Sequence, residues 1–261
     1  MKTYSHFLAI SLLGMASSHA AVTLYAEYRL GETGSLGASN RPLDSSGNGK
    51  NMANEISGAT TSTGTAGVSA PGSTHYLDTS GTGDQGWYSS NLYSSAPTLA
   101  LDNFAFGIYA RASENTAATR GDVFTIGGSD GSFKLSLGSN GWAASAHNVA
   151  WIGSSEGTPG SFTANEWAHI AMIRSGGTTT FYINGIAQAG TTTSTPVINT
   201  PHFSVNPGGL IYFDGHLDEA RVVTFTSGES TANILNTLAV PEPSSALLGG
   251  LGMLALLRRR R

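Results

Sequence analysis

Two short hairpin signals sit only eight residues apart, and they fix the class of fold open to this chain. Trp167-Ala168-His169-Ile170-Ala171-Met172-Ile173-Arg174 reads as a strand that runs into Gly176-Gly177. Phe181-Tyr182-Ile183 then returns into Asn184-Gly185. Two-residue turns between antiparallel strands demand positive φ, which glycine and asparagine supply at least cost. A chain that reverses this tightly builds an antiparallel sheet. Phe104-Ala105-Phe106-Gly107-Ile108-Tyr109-Ala110-Arg111 alternates with Phe104, Phe106, Ile108 and Ala110 on one face. Val22 to Leu30 alternates in the same way, with Leu24, Ala26, Tyr28 and Leu30 on one face. Val123–Gly127, Phe133–Leu137 and Trp142–Ala144 follow, with Gly, Ser, Asp and Asn between them. Gly215–Val223 closes the series, and only Ser230–Leu238 reads as helix. Gly58–Gly72, rich in Thr, Ser, Gly and Ala, reads as an exposed irregular loop. Evenly spaced short strands predict an all-β, two-sheet antiparallel sandwich.

The two ends have a different composition. Lys2, an apolar run from Phe7 to Met15, and Ser18-His19-Ala20 have the order of a secretory signal peptide, with cleavage expected after Ala20. At the other end, Val240-Pro241-Glu242-Pro243 precedes an uncharged segment, 244–257, and then Arg258, Arg259, Arg260 and Arg261. Basic residues stay on the cytoplasmic side, so the segment is an oriented anchor with the body of the chain outside. It is shorter than the roughly 17–25 residues that span a bilayer, which suits a temporary hold. Residues 21–239 remain as one expected domain.

Charge excludes one class of partner. The chain has 13 Lys and Arg against 17 Asp and Glu. Without Lys2, the four terminal arginines and Glu242, the central region keeps 8 basic and 16 acidic residues. Nucleic acid needs a basic footprint, and this region has none. An acidic polysaccharide would be repelled unless a cation bridged it. The chain has no cysteine, so it forms no disulfide although an exported chain could.

The order Pro-Glu-Pro, apolar segment, arginine cluster resembles the PEP-CTERM sorting signal of Gram-negative bacteria. That resemblance implies export, transient anchoring in the inner membrane, cleavage by an exosortase after signal peptidase has acted, and a place at the cell surface or in an exopolysaccharide matrix. The body resembles the LamG-like jelly-roll of the concanavalin A-like lectin/glucanase superfamily. Four pieces carry this in order: Tyr28-Arg29-Leu30 with Asp44-Ser45-Ser46-Gly47-Asn48-Gly49, then Phe104–Arg111, then Trp167–Ala171 with Phe181–Gly185, then Gly215-His216-Leu217-Asp218-Glu219-Ala220-Arg221. It implies a jelly-roll sandwich in which the first and last strands are neighbours.

Candidate chemistry is sparse. Hydrolases of this superfamily carry alternating carboxylates on one strand, and the sequence has no such run. Asp218 and Glu219 are adjacent, and adjacent strand residues face opposite ways, so they are not expected to serve one substrate as acid and base. Asp218 is expected to bond a neighbouring loop, and Glu219 to pair with Arg221 or lie in solvent. A calcium ion could draw on Asp44, Asn48 and Asp218, since Ca²⁺ takes carboxylate, amide and carbonyl oxygens; the alternative for Asp44 is a metal-free Asx turn. Trp87, Tyr88 and Trp151 are the aromatics expected to be exposed for sugar stacking, ahead of Tyr93, Trp142 and Tyr212. The sequence thus points to a non-catalytic carbohydrate-binding surface protein. A purely structural or adhesive protein is the alternative, and a glycoside-active enzyme a more distant one.

Overall fold

The computed structural model of the chain describes residues 22–37, 41–52, 54–55, 62–64, 70–79, 87–88, 102–128, 131–146, 150–152, 156–194, 203–205 and 213–239. The expected signal peptide (1–20), the tail with Pro241, Glu242, Pro243 and Arg258–Arg261, and the candidates Tyr93 and Tyr212 lie outside these residues. Among the described residues, no helix is long and apolar enough to cross a membrane.

Two antiparallel sheets face each other. The eight-stranded sheet holds β1 (Val22–Tyr28), β3 (Ser62–Gly64), β4 (Tyr76–Asp78), β6 (Phe104–Arg111), β11 (Ala168–Ser175), β12 (Thr178–Ile183), β13 (Ile186–Thr192) and β15 (His216–Phe225). Its order is β13-β12-β11-β6-β15-β4-β3, and β1 also pairs with β15. The closing strand is therefore central: β6 takes one edge, while β4 and β1 share the other. The seven-stranded sheet holds β2 (Asn54–Glu55), β5 (Trp87–Tyr88), β7 (Gly121–Gly128), β8 (Gly131–Gly138), β9 (Gly141–Ala146), β10 (Ala150–Ile152) and β14 (Phe203–Val205). Its order is β10-β9-β8-β7-β14-β5-β2. The expected neighbourhood of first and last strands is present. Ser62–Gly64 and a buried Ala70 replace part of the expected loop over 58–72.

Alternation does what the sequence requires of it. Phe104, Phe106, Ile108 and Ala110 all enter the core between the sheets. Phe104 meets Phe133 edge-on at 5.3 Å, and Phe106 meets Phe124 at 5.4 Å, so aromatic pairs join the two layers. The hairpin turns have their expected backbone: Gly176 and Gly177 at φ 55° and 78°, Asn184 and Gly185 at 50° and 78°.

The other face of β6 is also buried. Ala105, Ala171, Ile173, Val223 and Phe225 form a second cluster, covered by α1 (Thr231–Leu238) through Ile234 and Leu238. Ser230 caps that helix by accepting a bond from the Asn233 N–H. One expectation fails here. Leu24 does not share a face with Ala26, Tyr28 and Leu30, because the β1–β15 register shifts between Leu24 and Ala26. The bulge sends Val22 and Leu24 to the cluster under α1, while Ala26, Tyr28 and Leu30 stay in the main core.

Candidate functional site

Pairing across the seven-stranded sheet lines up one row of residues. Tyr88 pairs with Ser204, Ser204 with Thr125, Thr125 with Lys134, Lys134 with Ser145 and Ser145 with Trp151. Their sequence neighbours Phe124, Ile126, Phe133, Leu135, Ala144, Ala146 and Ile152 fill the core, so Thr125, Lys134, Ser145 and Trp151 lie on the outer side, with Thr125 and Ser145 buried there. The row crosses five inter-strand gaps, roughly 24 Å. Trp151 stands at one end, 45% exposed. Lys134 pairs with Asp122, which also accepts a bond from Ser136 at 2.8 Å. Of the expected sugar-stacking residues, Tyr88 and Trp151 share this row, whereas Trp87 pairs with Val205 in the row of Phe124. Trp142 is buried in the core.

The turn after Leu43 is organised around Asp44. Its Oδ1 accepts from the N–H of Glu27 at 3.0 Å and of Ser46 at 2.9 Å, and its Oδ2 from the N–H of Lys50 at 2.9 Å. Burial raises the Asp44 pKa, but the bonds from Ser46, Glu27 and Lys50 outweigh it and hold the group below its usual value. Asn48 donates its amide to the carbonyls of Leu24 and Tyr25. The Glu27 carbonyl accepts from the Ser45 N–H. The turn thus extends the free edge of β1, and β1 stands between it and β15. Asp44 and Asn48 are brought together, and Asp218 lies across the strand from them. Among the described residues, no three His, Asp or Glu side chains group as metal ligands.

Asp218 and Glu219 require a correction. The β15–β6 register slips between Asp218 and Arg221, and Glu219 takes a left-handed φ of 45°. Leu217 and Ala220 both enter the core, so the extra residue leaves Asp218 and Glu219 together on the outer side instead of opposed. Both are fully buried. As expected, Asp218 bonds a loop: its Oδ2 accepts from the Ala70 N–H at 3.3 Å. Glu219 meets Arg29 at 3.4 Å and Arg221 at 3.8 Å. Burial first, and then the neighbouring Glu219, push the Asp218 pKa up to about 8. Burial also raises Glu219, against the pull of Arg221 and Arg29.

Beside this pair lies a cavity of about 400 Å³, lined in part by Tyr109, Trp167, His169, Asn184 and Asn236. His169 packs at 4.7 Å on the Tyr109 ring, and Trp167 meets Tyr76 edge-on at 6.0 Å. Burial, with the nearby Arg221 cation, lowers the His169 pKa to about 4, so the ring is neutral at neutral pH. The sequence signals for Trp167 and His169 were strand signals. Only the register, which sets His169 opposite Tyr109 and Tyr109 opposite Asp218, shows that they converge.

The sandwich order and these strands agree with sequence comparison: the profile of the concanavalin A-like lectin/glucanases superfamily matches residues 84–229. The chain belongs to the concanavalin A-like lectin/glucanase superfamily. Residues 239–261 of this superfamily member match the PEP-CTERM protein-sorting motif. No curated protein shows a significant sequence match. Among solved structures, domain 4 of AbnA, a GH43 extracellular arabinanase from Geobacillus stearothermophilus in complex with arabinotriose, is similar at 16% identity and TM-score 0.57. That match covers 84% of this chain and 99% of that one. Trypanosoma rangeli sialidase is similar at 13% identity and TM-score 0.53, over 82% of this chain but 32% of the sialidase. The receptor binding domain of botulinum neurotoxin D gives 15% identity and TM-score 0.52, over 82% of this chain and 52% of that one. Identities this low show the shared fold alone.

Proposed function

We propose that this chain is an exported, non-catalytic surface or matrix protein that binds carbohydrate on the outer face of its seven-stranded sheet. The observation that carries the reading is Trp151, half-exposed on the outer side of β10 at the edge of that sheet. An indole offers a flat apolar surface to sugar C–H groups and a polar N–H at its edge. Lys134 and Asp122, paired with each other, are the charged groups further along the same sheet. The arabinotriose complex of the AbnA domain supports the ligand class.

Hydrolysis is disfavoured by access. Glycoside cleavage needs two carboxyl groups flanking one bond. Asp218 and Glu219 share a face, but both are sealed from solvent. The sorting motif supports processing by an exosortase near Pro241, Glu242 and Pro243, with segment 244–257 and Arg258–Arg261 as the temporary anchor. Signal peptidase would act first, after Ala20.

A glycan array probed with wild type and Trp151→Ala, each with and without calcium, tests the reading. Binding that falls at least tenfold in Trp151→Ala supports it. No binding by wild type in either arm favours a structural or adhesive protein, and release of reducing sugar by wild type would make it an enzyme. The calcium arm tests a cation held by Asp44, Asn48 and Asp218, which would displace the hydrogen bonds that now occupy Asp44.

A further inference from the structure

The chain leaves α1 at the rim of the cavity on the eight-stranded sheet. Ala239 is itself a wall residue, beside Leu235 and Asn236 of the helix, Trp167 before β11, Asn184 of the β12–β13 turn and Pro71. Two bonds fix it there. Its N–H donates to the Leu235 carbonyl at 2.8 Å, and its carbonyl accepts from Arg221 at 3.1 Å. Its backbone, at φ −74° and ψ 144°, has already left the helix for the polyproline II region. The sequence of the next four residues, Val240-Pro241-Glu242-Pro243, favours the same conformation. Proline locks φ at about −65°, and the residue before a proline is pushed to extended backbone. Aromatic-lined clefts are a recurring seat for such segments. The described wall of this one offers aromatic and apolar carbon, two side-chain amides and no charged group. Asn184 Oδ1 accepts from the His169 N–H at 2.9 Å, so its NH2 is the end that donates. A run with proline at two of its four positions lacks two N–H groups and presents mainly carbonyl acceptors. Amide donors on the wall answer that need.

We propose that this cavity holds the chain's own Val240–Pro243, so that the folded sandwich shields the sorting motif from the enzyme that cuts it. A polyproline II run has three residues per turn and rises about 3.1 Å per residue. Four residues span roughly 12 Å, enough to cross a cavity of about 400 Å³. Val240 and Pro243, three apart, share the face turned to the wall. Pro243 rests on the part of the Trp167 ring that lines the cavity, and that ring keeps its contacts with Tyr76 and His216. Glu242 then points to solvent. Asn184 and Asn236 donate to carbonyls of the run, and nothing is asked of the buried His169. A segment tethered at Ala239 is present at high effective concentration, which favours it over a ligand from solution. Cleavage then waits on release of the motif. The inference rests on the processing reading above and uses none of the residues of the carbohydrate reading.

The chain has no cysteine, so Ser244→Cys takes a single nitroxide label. The full chain, purified in detergent and labelled with 5-fluorotryptophan, gives one ¹⁹F resonance each for Trp87, Trp142, Trp151 and Trp167, assigned by single Trp→Phe variants. The nitroxide should broaden Trp167 at least threefold more than any other resonance. Pro241→Gly/Pro243→Gly, which unlocks the run without touching the sandwich, should remove most of that broadening. Asn236→Glu, on an exposed helical position, replaces an amide donor with an acid and should do the same, whereas Asn236→Gln should keep the broadening. Unmoved Trp87 and Trp142 resonances show that each variant is folded. Broadening that persists in both undocking variants overturns the docking, because Ser244 would then be near Trp167 only through its tether. Absence of broadening in the wild-type background overturns it too. In cells, pulse-chase mass spectrometry follows the cut near Pro241–Ser244. Asn236→Glu should be processed at least twofold faster than wild type and Asn236→Gln. Equal rates overturn the shielding. No cut in any of the three chains overturns the processing reading, while the nitroxide result still decides the docking.

Discussion

Asp218 shows how one side chain ties stability to pH. Its native pKa of about 8 lies well above the ordinary 3.8. Between those values the folded chain keeps a proton that the unfolded chain has lost, so stability falls as pH rises from about 4 to 8 and levels off above. Thermal unfolding of Asp218→Asn should lack this decline and gain most over wild type at pH 8 and above. An unchanged slope would remove Asp218 as its source. Glu32 acts in the opposite sense at lower pH. Burial raises its pKa, but bonds from Thr74, Ser73 and the His75 N–H bring it down to about 2. Its contribution is complete above about 4.5 and fades as pH falls toward 2. Phe106, fully buried against Phe124, should cost roughly 3–5 kcal/mol when cut to alanine, measured by denaturant unfolding. Gly157 is intolerant for another reason. It sits at φ 106°, and a Cβ there would overlap the carbonyl oxygen of Gly141, so Gly157→Ala should lower Tm although it adds one methyl group.

At the scale of elements, periodicity made the strands and both hairpins legible, because alternation and turn chemistry are local. The bulges were not legible. Neither Tyr25 nor Glu219 is a glycine, so nothing in the sequence marks the extra residue that turns Leu24 outward or places Asp218 and Glu219 on one side. The cavity beside them was hidden for a related reason, since it assembles residues from β6, β11, the β12–β13 turn and α1, far apart in the chain. The helix itself was readable, but its anchoring was not. Arg221 donates to the carbonyls of Thr237 and Ala239, both at 3.1 Å, while it pairs with Glu27 at 2.6 Å. It thereby satisfies the C-terminal end of α1 and neutralises a half-buried acid. Replacing Arg221 with Met should destabilise by about 3 kcal/mol or more, because Glu27 and the buried Glu219 both lose a partner. Ser230→Ala, which removes only the cap, should cost about 1 kcal/mol. Chemical denaturation of the two variants checks the ranking, and equal losses would contradict the role given to Arg221.

For the whole molecule, the sandwich should fold without its tail. Deleting 240–261 should leave the sandwich folded by circular dichroism, since both sheets and α1 are complete by Leu238, and should release the protein into the medium. N-terminal sequencing of exported protein should begin at Ala21. The arrangement of the ends also has a mechanical meaning. Val22 pairs with Phe225, and α1 folds back over that same end of β15 before the chain leaves at Ala239. Of the regular elements, a pull on the tail reaches an eight-residue helix first, held by Ile234, Leu238 and the Arg221 bonds, and only then the ten-residue strand behind it. Peeling that helix would lengthen the tether while every strand stays paired. A molecule hung from a membrane in moving fluid would give before it broke.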